Sequence, residues 1–94
     1  MHADFTSIRN HYERPVLEAV AAMAARYPFV RDDQLPDVAC VALNRLPPRY
    51  IRHEVDLAFY LTAKERIEIE RSIEEAVRYA FEFVQARTAM RART

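Results

Sequence analysis

Three features of the sequence predict an all-α fold: one small domain of about four helices, the last of them long. Apolar residues recur at spacings of three and four in three separate stretches, which is the signature of a helix face. The chain contains no glycine, so tight β-hairpins are unfavourable. Its 94 residues suit a single domain with one modest core, 1–94, whose ends at 1–4 and 88–94 are expected to fray.

The first periodic stretch covers residues 5–27, with Ile8, Tyr12, Val16, Val20, Met23 and Tyr27 on one face. Two starts are open. Asn10 and Glu13 fit a capping box that places Pro15 near the first turn, whereas a start at Thr6 or Ser7 makes Pro15 a kink. Tyr27-Pro28 ends the stretch, because the residue before a proline is pushed out of the helical region. In the second helix Asp33 is expected to cap and Pro36 to sit in the first turn, where its missing N–H is not needed. Leu35, Val38, Ala39, Ala42, Leu43 and Leu46 give this helix its apolar face, and Pro47-Pro48 stop it near Arg45.

Residues 47–52 should be extended. Residues 53–61 carry Val55, Leu57, Ala58, Phe59 and Leu61 and are expected to form a short helix, since no partner strand suggests itself. Thr62 and Glu65 then form a capping box for a final helix over residues 63–87, with Ile69, Ile73, Ala76, Val77, Ala80, Phe81 and Val84 as its stripe. Such a helix is about 40 Å long, more than a core of this size covers, so part of the stripe is expected to meet a second copy of the chain. Glu74 and Arg78, four apart in the favourable order, mark its solvated face.

Composition narrows the function. Fourteen basic residues balance fourteen acidic ones, so the general attraction that drives non-specific DNA binding is missing. Residues 34–44 contain no Lys or Arg, which also disfavours a DNA-reading second helix and hence direct DNA binding. No run of about 18 apolar residues is present and the first residues are polar, so a cytoplasmic protein with no membrane association is expected. The single cysteine, Cys40, forms no internal disulfide and reads as a small buried hydrophobe. Stability beyond the small core is therefore expected from a homodimer.

No catalytic set suggests itself: Ser7 and Ser72 lie in helical contexts, and His2, His11 and His53 lie in three separate segments. A non-enzyme with no cofactor and no metal is expected. The local anomaly is residues 44–52, Asn44-Arg45-Leu46-Pro47-Pro48-Arg49-Tyr50-Ile51-Arg52, where three arginines and a tyrosine surround a rigid double proline. Arg45 can serve the helix dipole, but Arg49 and Arg52 lie beyond it. A stiff loop loses little entropy on binding, and arginine offers a planar fork for phosphate or a guanine edge. Tyr50 and Tyr12 offer stacking surface. Two readings stay open: a ligand site, and a structural loop whose leucine, prolines and tyrosine plug the core.

The run DVACVALNRLPPRYI at residues 37–51, preceded by NHYE at residues 10–13, resembles the late competence development, ComFB-like, family of bacterial proteins. The resemblance covers residues 10–51 well and the C-terminal helix only in kind. It implies an all-α homodimer that serves as a cyclic dinucleotide receptor, chiefly for cyclic di-GMP, signalling to a downstream protein. Under it, Arg45, Arg49 and Arg52 would meet phosphates or guanine edges, while Tyr12 and Tyr50 would stack, on a frame stiffened by Pro47 and Pro48. Asn44, Glu13 and Asp37 would orient the loop or hydrogen-bond the bases. Asp37 and Asn10 have a second role open to them, as helix-end residues that hold the two motifs together. Many relatives carry a zinc-holding cysteine cluster between the motifs; residues 28–36 here contain no cysteine, so zinc is not carried over and packing must hold the loop from Phe29 to Gln34.

Overall fold

A computed structural model describes residues 2–92. Its elements run β1 (Arg9–Asn10), α1 (Glu13–Met23), α2 (Leu35–Arg45), β2 (Tyr50–Ile51), α3 (Glu54–Tyr60) and α4 (Ala63–Ala92), with single 3-10 turns at Ala24–Arg26 and Asp32–Gln34. The fold is all-α apart from a two-residue antiparallel ladder that pairs Arg9 with Ile51 and Asn10 with Tyr50. No described residue has a positive φ, in keeping with a chain that has no glycine to place there.

The later start of the first helix is the one adopted, with Pro15 inside the first turn of α1 and no kink. Asn10 does not form a capping box with Glu13; its Oδ1 accepts the N–H of Tyr12 at 3.3 Å and that of Arg49 at 3.0 Å. The upstream residues with helical spacing are thereby diverted into β1, and Ile8 is left half exposed. Asp33 does not cap α2. It pairs with Arg31 at 3.0 Å, and the 3-10 turn leads straight into the helix, whose Pro36 lies in the first turn.

Val16, Val20 and Met23 of α1, Val38, Ala39 and Ala42 of α2, and Ile73, Ala76, Val77, Ala80, Phe81 and Val84 of α4 make one core, joined by Tyr12, Val30 and Leu46. Tyr27 closes it, stacked on Phe81 with ring centroids 4.5 Å apart and planes 4° from parallel. No polar or charged residue is buried among the described residues. Cys40, expected inside, is exposed: it follows Val38 by two residues, about 200° around the helix, and so points away from the buried face. The 28–36 loop is held by more than packing. Val30 is buried, Gln34 Oε1 accepts the Arg31 N–H at 2.9 Å, and Gln34 Nε2 donates to Thr88 Oγ1 at 2.9 Å.

The capping box of α4 is present, with Thr62 N–H donating to Glu65 Oε2 at 2.9 Å and Glu65 N–H to Thr62 Oγ1 at 3.1 Å. Glu74 and Arg78 pair at 2.9 Å. The helix runs on to Ala92 instead of ending near 87, so residues 88–92 are helical where fraying was expected. Thr88 is anchored on both sides, since it also donates to the Val84 carbonyl at 2.9 Å. The expected fraying of residues 1, 93 and 94 lies outside the described residues. Thirty residues make α4 about 45 Å long, and only its middle, Ile73 to Val84, is buried. The radius of gyration is 15.8 Å, against about 12 Å for a compact chain of this length. No described helix is long and apolar enough to cross a membrane.

Candidate functional site

The segment after α2 is shaped by the two prolines. Leu46 leaves the helix in an extended conformation (φ −104°, ψ 133°) with its side chain buried, so the chain turns outward from a fixed point. The far end is fixed as well. Arg49 N–H donates to Asn10 Oδ1, the His11 N–H donates to the Arg49 carbonyl at 2.7 Å, and the β1·β2 ladder follows at once. Residues 46–51 are therefore a short strap clamped at both ends against the start of α1.

Beneath this strap lies an open cleft of about 270 Å³, walled by Leu46, Pro47 and Ala76 and edged by Tyr12, Arg45, Ser72 and Glu75. The Arg45 guanidinium lies over the Tyr79 ring, 3.9 Å from its centroid. Tyr79 itself stacks near Phe83 at 6.0 Å, and Arg87 lies 5.8 Å over Phe83. Arg87 also reaches Asp37 at 4.0 Å, while Arg45 reaches Tyr79. Eight residues thus separate the two contacts on either helix, so α2 and α4 run antiparallel in matching register. The stacked Arg45 has no ion pair or hydrogen bond through its guanidinium among the described residues. It is a planar donor held on an aromatic platform with its N–H edge open.

Of the residues picked out from sequence, the structure brings Tyr12, Arg45 and Pro47 to this cleft. Tyr12 is only 7 % exposed and belongs to the core, so it edges the cleft and has no free ring face for a ligand to stack on. Tyr50 is 69 % exposed and has such a face. Arg49 is exposed and makes no ion pair among the described residues, whereas Arg52 Nε donates to Ser7 Oγ at 3.2 Å. Asn44 and Pro48 are exposed outside the cleft lining. Glu13 lies apart, bordering a separate hollow with Arg9, Arg14 and Glu54. Asp37 is at the opposite end of α2, about 12 Å along its axis from Arg45, and its partner is Arg87. The helix-end role suggested for both Asp37 and Asn10 is therefore filled by Asn10 alone.

Sequence reasoning missed Ser72, Glu75 and Tyr79. Their spacing carried a partial signal: Glu75, Tyr79, Phe83 and Arg87 fall at steps of four, a second face beside the apolar stripe. Which neighbour that face meets is not encoded in the spacing.

A second arginine cluster stabilises the clamp. Glu54, at the start of α3, takes Arg9 at 3.4 Å and Arg14 at 3.6 Å, joining α3 to β1 and α1. The His11 ring is in this junction. Its partial burial holds its pKa below the ordinary 6.5, an effect opposed by the Glu54 carboxylate and reinforced by Arg49 and Arg9. Arg66 Nη2 donates to the Ala58 carbonyl at 3.0 Å and ties α4 to the end of α3.

Comparison with known proteins gives one family. Residues 9–88 match the model of the family described as late competence development protein ComFB. The match includes β1, the strap and most of α4, so it extends well past the two motifs. No curated protein matches the chain.

Proposed function

The chain belongs to the late competence development ComFB family, and from that premise, joined to the geometry of the strap, we propose that it is a non-catalytic cytoplasmic receptor for a cyclic dinucleotide, with cyclic di-GMP the preferred ligand. The observation that carries this reading is Arg45, which borders the cleft with its guanidinium held 3.9 Å over Tyr79 and making no ion pair or hydrogen bond among the described residues. A donor fork already fixed in place loses little entropy when it meets a phosphate or the O6 and N7 of guanine. Arg49 and Tyr50 extend the same polar, aromatic edge along the strap, one as a charge without an ion pair and the other as an exposed ring.

A receptor acts by favouring one state over another when ligand binds, typically by about 1 to 3 kcal/mol. The strap suits that role because it is tied to β1 and, through Arg9 and Glu54, to α3. Ligand on the strap would bias how α3 presents itself to a protein partner. Calorimetric titration of the folded protein with cyclic di-GMP and cyclic di-AMP tests the reading; no heat and no thermal shift with either sinks it.

The second reading is an adaptor or dimerisation module, and one observation favours it. Val55, Phe59 and Tyr60 on α3 and Ile67 on α4 are all exposed, Phe59 by 82 %. A run of large apolar side chains of this kind marks protein interfaces. The two readings meet in a homodimeric receptor, with the overhanging ends of α4 available for a second copy. Sedimentation across a concentration series tests the dimer, and a monomer at all concentrations excludes it.

A further inference from the structure

Arg45 and Glu75 edge one cleft without meeting. Neither has an ion pair among the described residues, although they carry opposite charges around the same 270 Å³ space. The Tyr79 ring keeps the Arg45 guanidinium on its face, and the adjoining chain is stiffened by Pro47 and anchored by buried Leu46. Glu74, next along α4, is engaged by Arg78; Glu75, which borders the cleft, is not, and its carboxylate keeps two acceptor atoms without a partner among the described residues.

We infer that this cleft reads a single purine base and that Glu75 determines specificity for guanine over adenine. This rests on the cyclic dinucleotide reading and deepens it. Guanine presents acceptors at O6 and N7 and, on the adjoining edge, N–H donors at N1 and N2. An arginine fork fits the first pair and a carboxylate fits the second, so the two opposed charges of the cleft complement two edges of one ring. Adenine reverses both contacts at the shared corner. Its N6 amino group meets Arg45 donor to donor, and its bare N1 meets Glu75 acceptor to acceptor. The carboxylate also repels phosphate, so the phosphodiester ring stays outside the cleft, beside Arg49. The volume agrees, since it falls just below the range of about 300 to 1,000 Å³ usual for whole small-molecule sites and suits one base of a larger ligand.

Titration of cyclic di-GMP and cyclic di-AMP against the wild type, Glu75→Gln, Glu75→Asp and Glu74→Gln tests the inference. The wild type should prefer cyclic di-GMP. Glu75→Gln should weaken cyclic di-GMP about 5- to 150-fold, the scale of one bidentate base contact, while cyclic di-AMP binding is unchanged or tighter. Glu75→Asp should keep part of the preference, Glu74→Gln should match the wild type, and all four should melt alike because Glu75 is exposed. A Glu75→Gln protein that keeps the wild-type preference, or loses both nucleotides equally, overturns the role of Glu75 and leaves the receptor reading standing. A wild type with no preference overturns the role of Glu75 together with the preference for cyclic di-GMP, and leaves a cyclic dinucleotide receptor. A wild type that binds neither nucleotide overturns both.

Discussion

Asn10 Oδ1 accepts the backbone N–H of Arg49 at 3.0 Å, joining residues 39 apart in sequence. The same oxygen accepts from the Tyr12 N–H, so one side chain both starts α1 and fixes the strap that follows α2. The two stretches NHYE and LNRLPPRY are thus joined by a single clamp.

Replacing Asn10 with alanine removes an acceptor from two backbone donors at once. Asn10→Ala should lower stability by about 1 to 3 kcal/mol, the cost of stranding a partly buried donor. Asp at this position keeps the acceptor and should recover most of the loss. Denaturant unfolding of the two variants checks the stability, and faster hydrogen exchange at the Arg49 amide in Asn10→Ala checks the cause.

Arg49 separates ligand binding from folding. Its backbone is held by Asn10 and His11, while its side chain is exposed and makes no ion pair among the described residues. Arg49→Ala should therefore weaken cyclic di-GMP by about 1.5 to 3 kcal/mol, the range for a charged hydrogen bond, with little change in melting temperature. Lysine should restore only part of the affinity because it keeps the charge and loses the fork. A variant that melts early yet binds normally removes Arg49 from the site.

Phe81 is wholly buried and stacks on Tyr27, which precedes the 28–36 loop. Phe81→Ala should cost about 3 to 5 kcal/mol, a large share of the 5 to 15 kcal/mol that holds a typical domain together. Urea unfolding should show a much lower midpoint. Phe81→Leu keeps most of the volume and should lie between the two.

Protonation of His11 should loosen the junction of β1 and α3. Its folded pKa is below 6.5, so the unfolded chain binds the proton more readily and stability is full above that value. As pH falls through 6.5 towards the lower folded value, stability is lost, and below the folded value the loss levels off. Melting temperatures from pH 8 to pH 5 should show this slope in the wild type and a shallower one in His11→Gln. Equal slopes would exclude His11 as the source.

Helix identities and several of their ends are local properties legible in the chain, although the end of α4 at Ala92, expected near residue 87, is not among them. Thr62 and Glu65 are three apart and close on each other, Pro36 fits a first turn, Pro47-Pro48 end α2 at Arg45, and residues 54–60 are helical as their apolar content suggests. What the local pattern misread was rotation and partnership. The local pattern left two starts of the first helix open, and a pairing with residues 42 and 40 positions away, which takes Arg9 and Asn10 into a ladder, selects the later one. The apolar character of Cys40 suggested burial, but its angle on α2 faced it outward.

The sequence by itself determined which four stretches are helical, which stripe of α4 is apolar, and that a double proline flanked by Arg45, Arg49 and Arg52 breaks the chain after α2, because spacing, capping and proline chemistry act over a few residues. Only the tertiary structure decided that Arg45 stacks on Tyr79, that Glu75 shares its cleft, that Tyr12 is core, and that Asp37 belongs to the far end of α2. Those outcomes depend on how α2 and α4 are turned about their own axes when they pack antiparallel. That rotation is set by the fit of Val38, Ala42, Val77 and Phe81 in one shared core, a relationship between segments that neither segment carries alone.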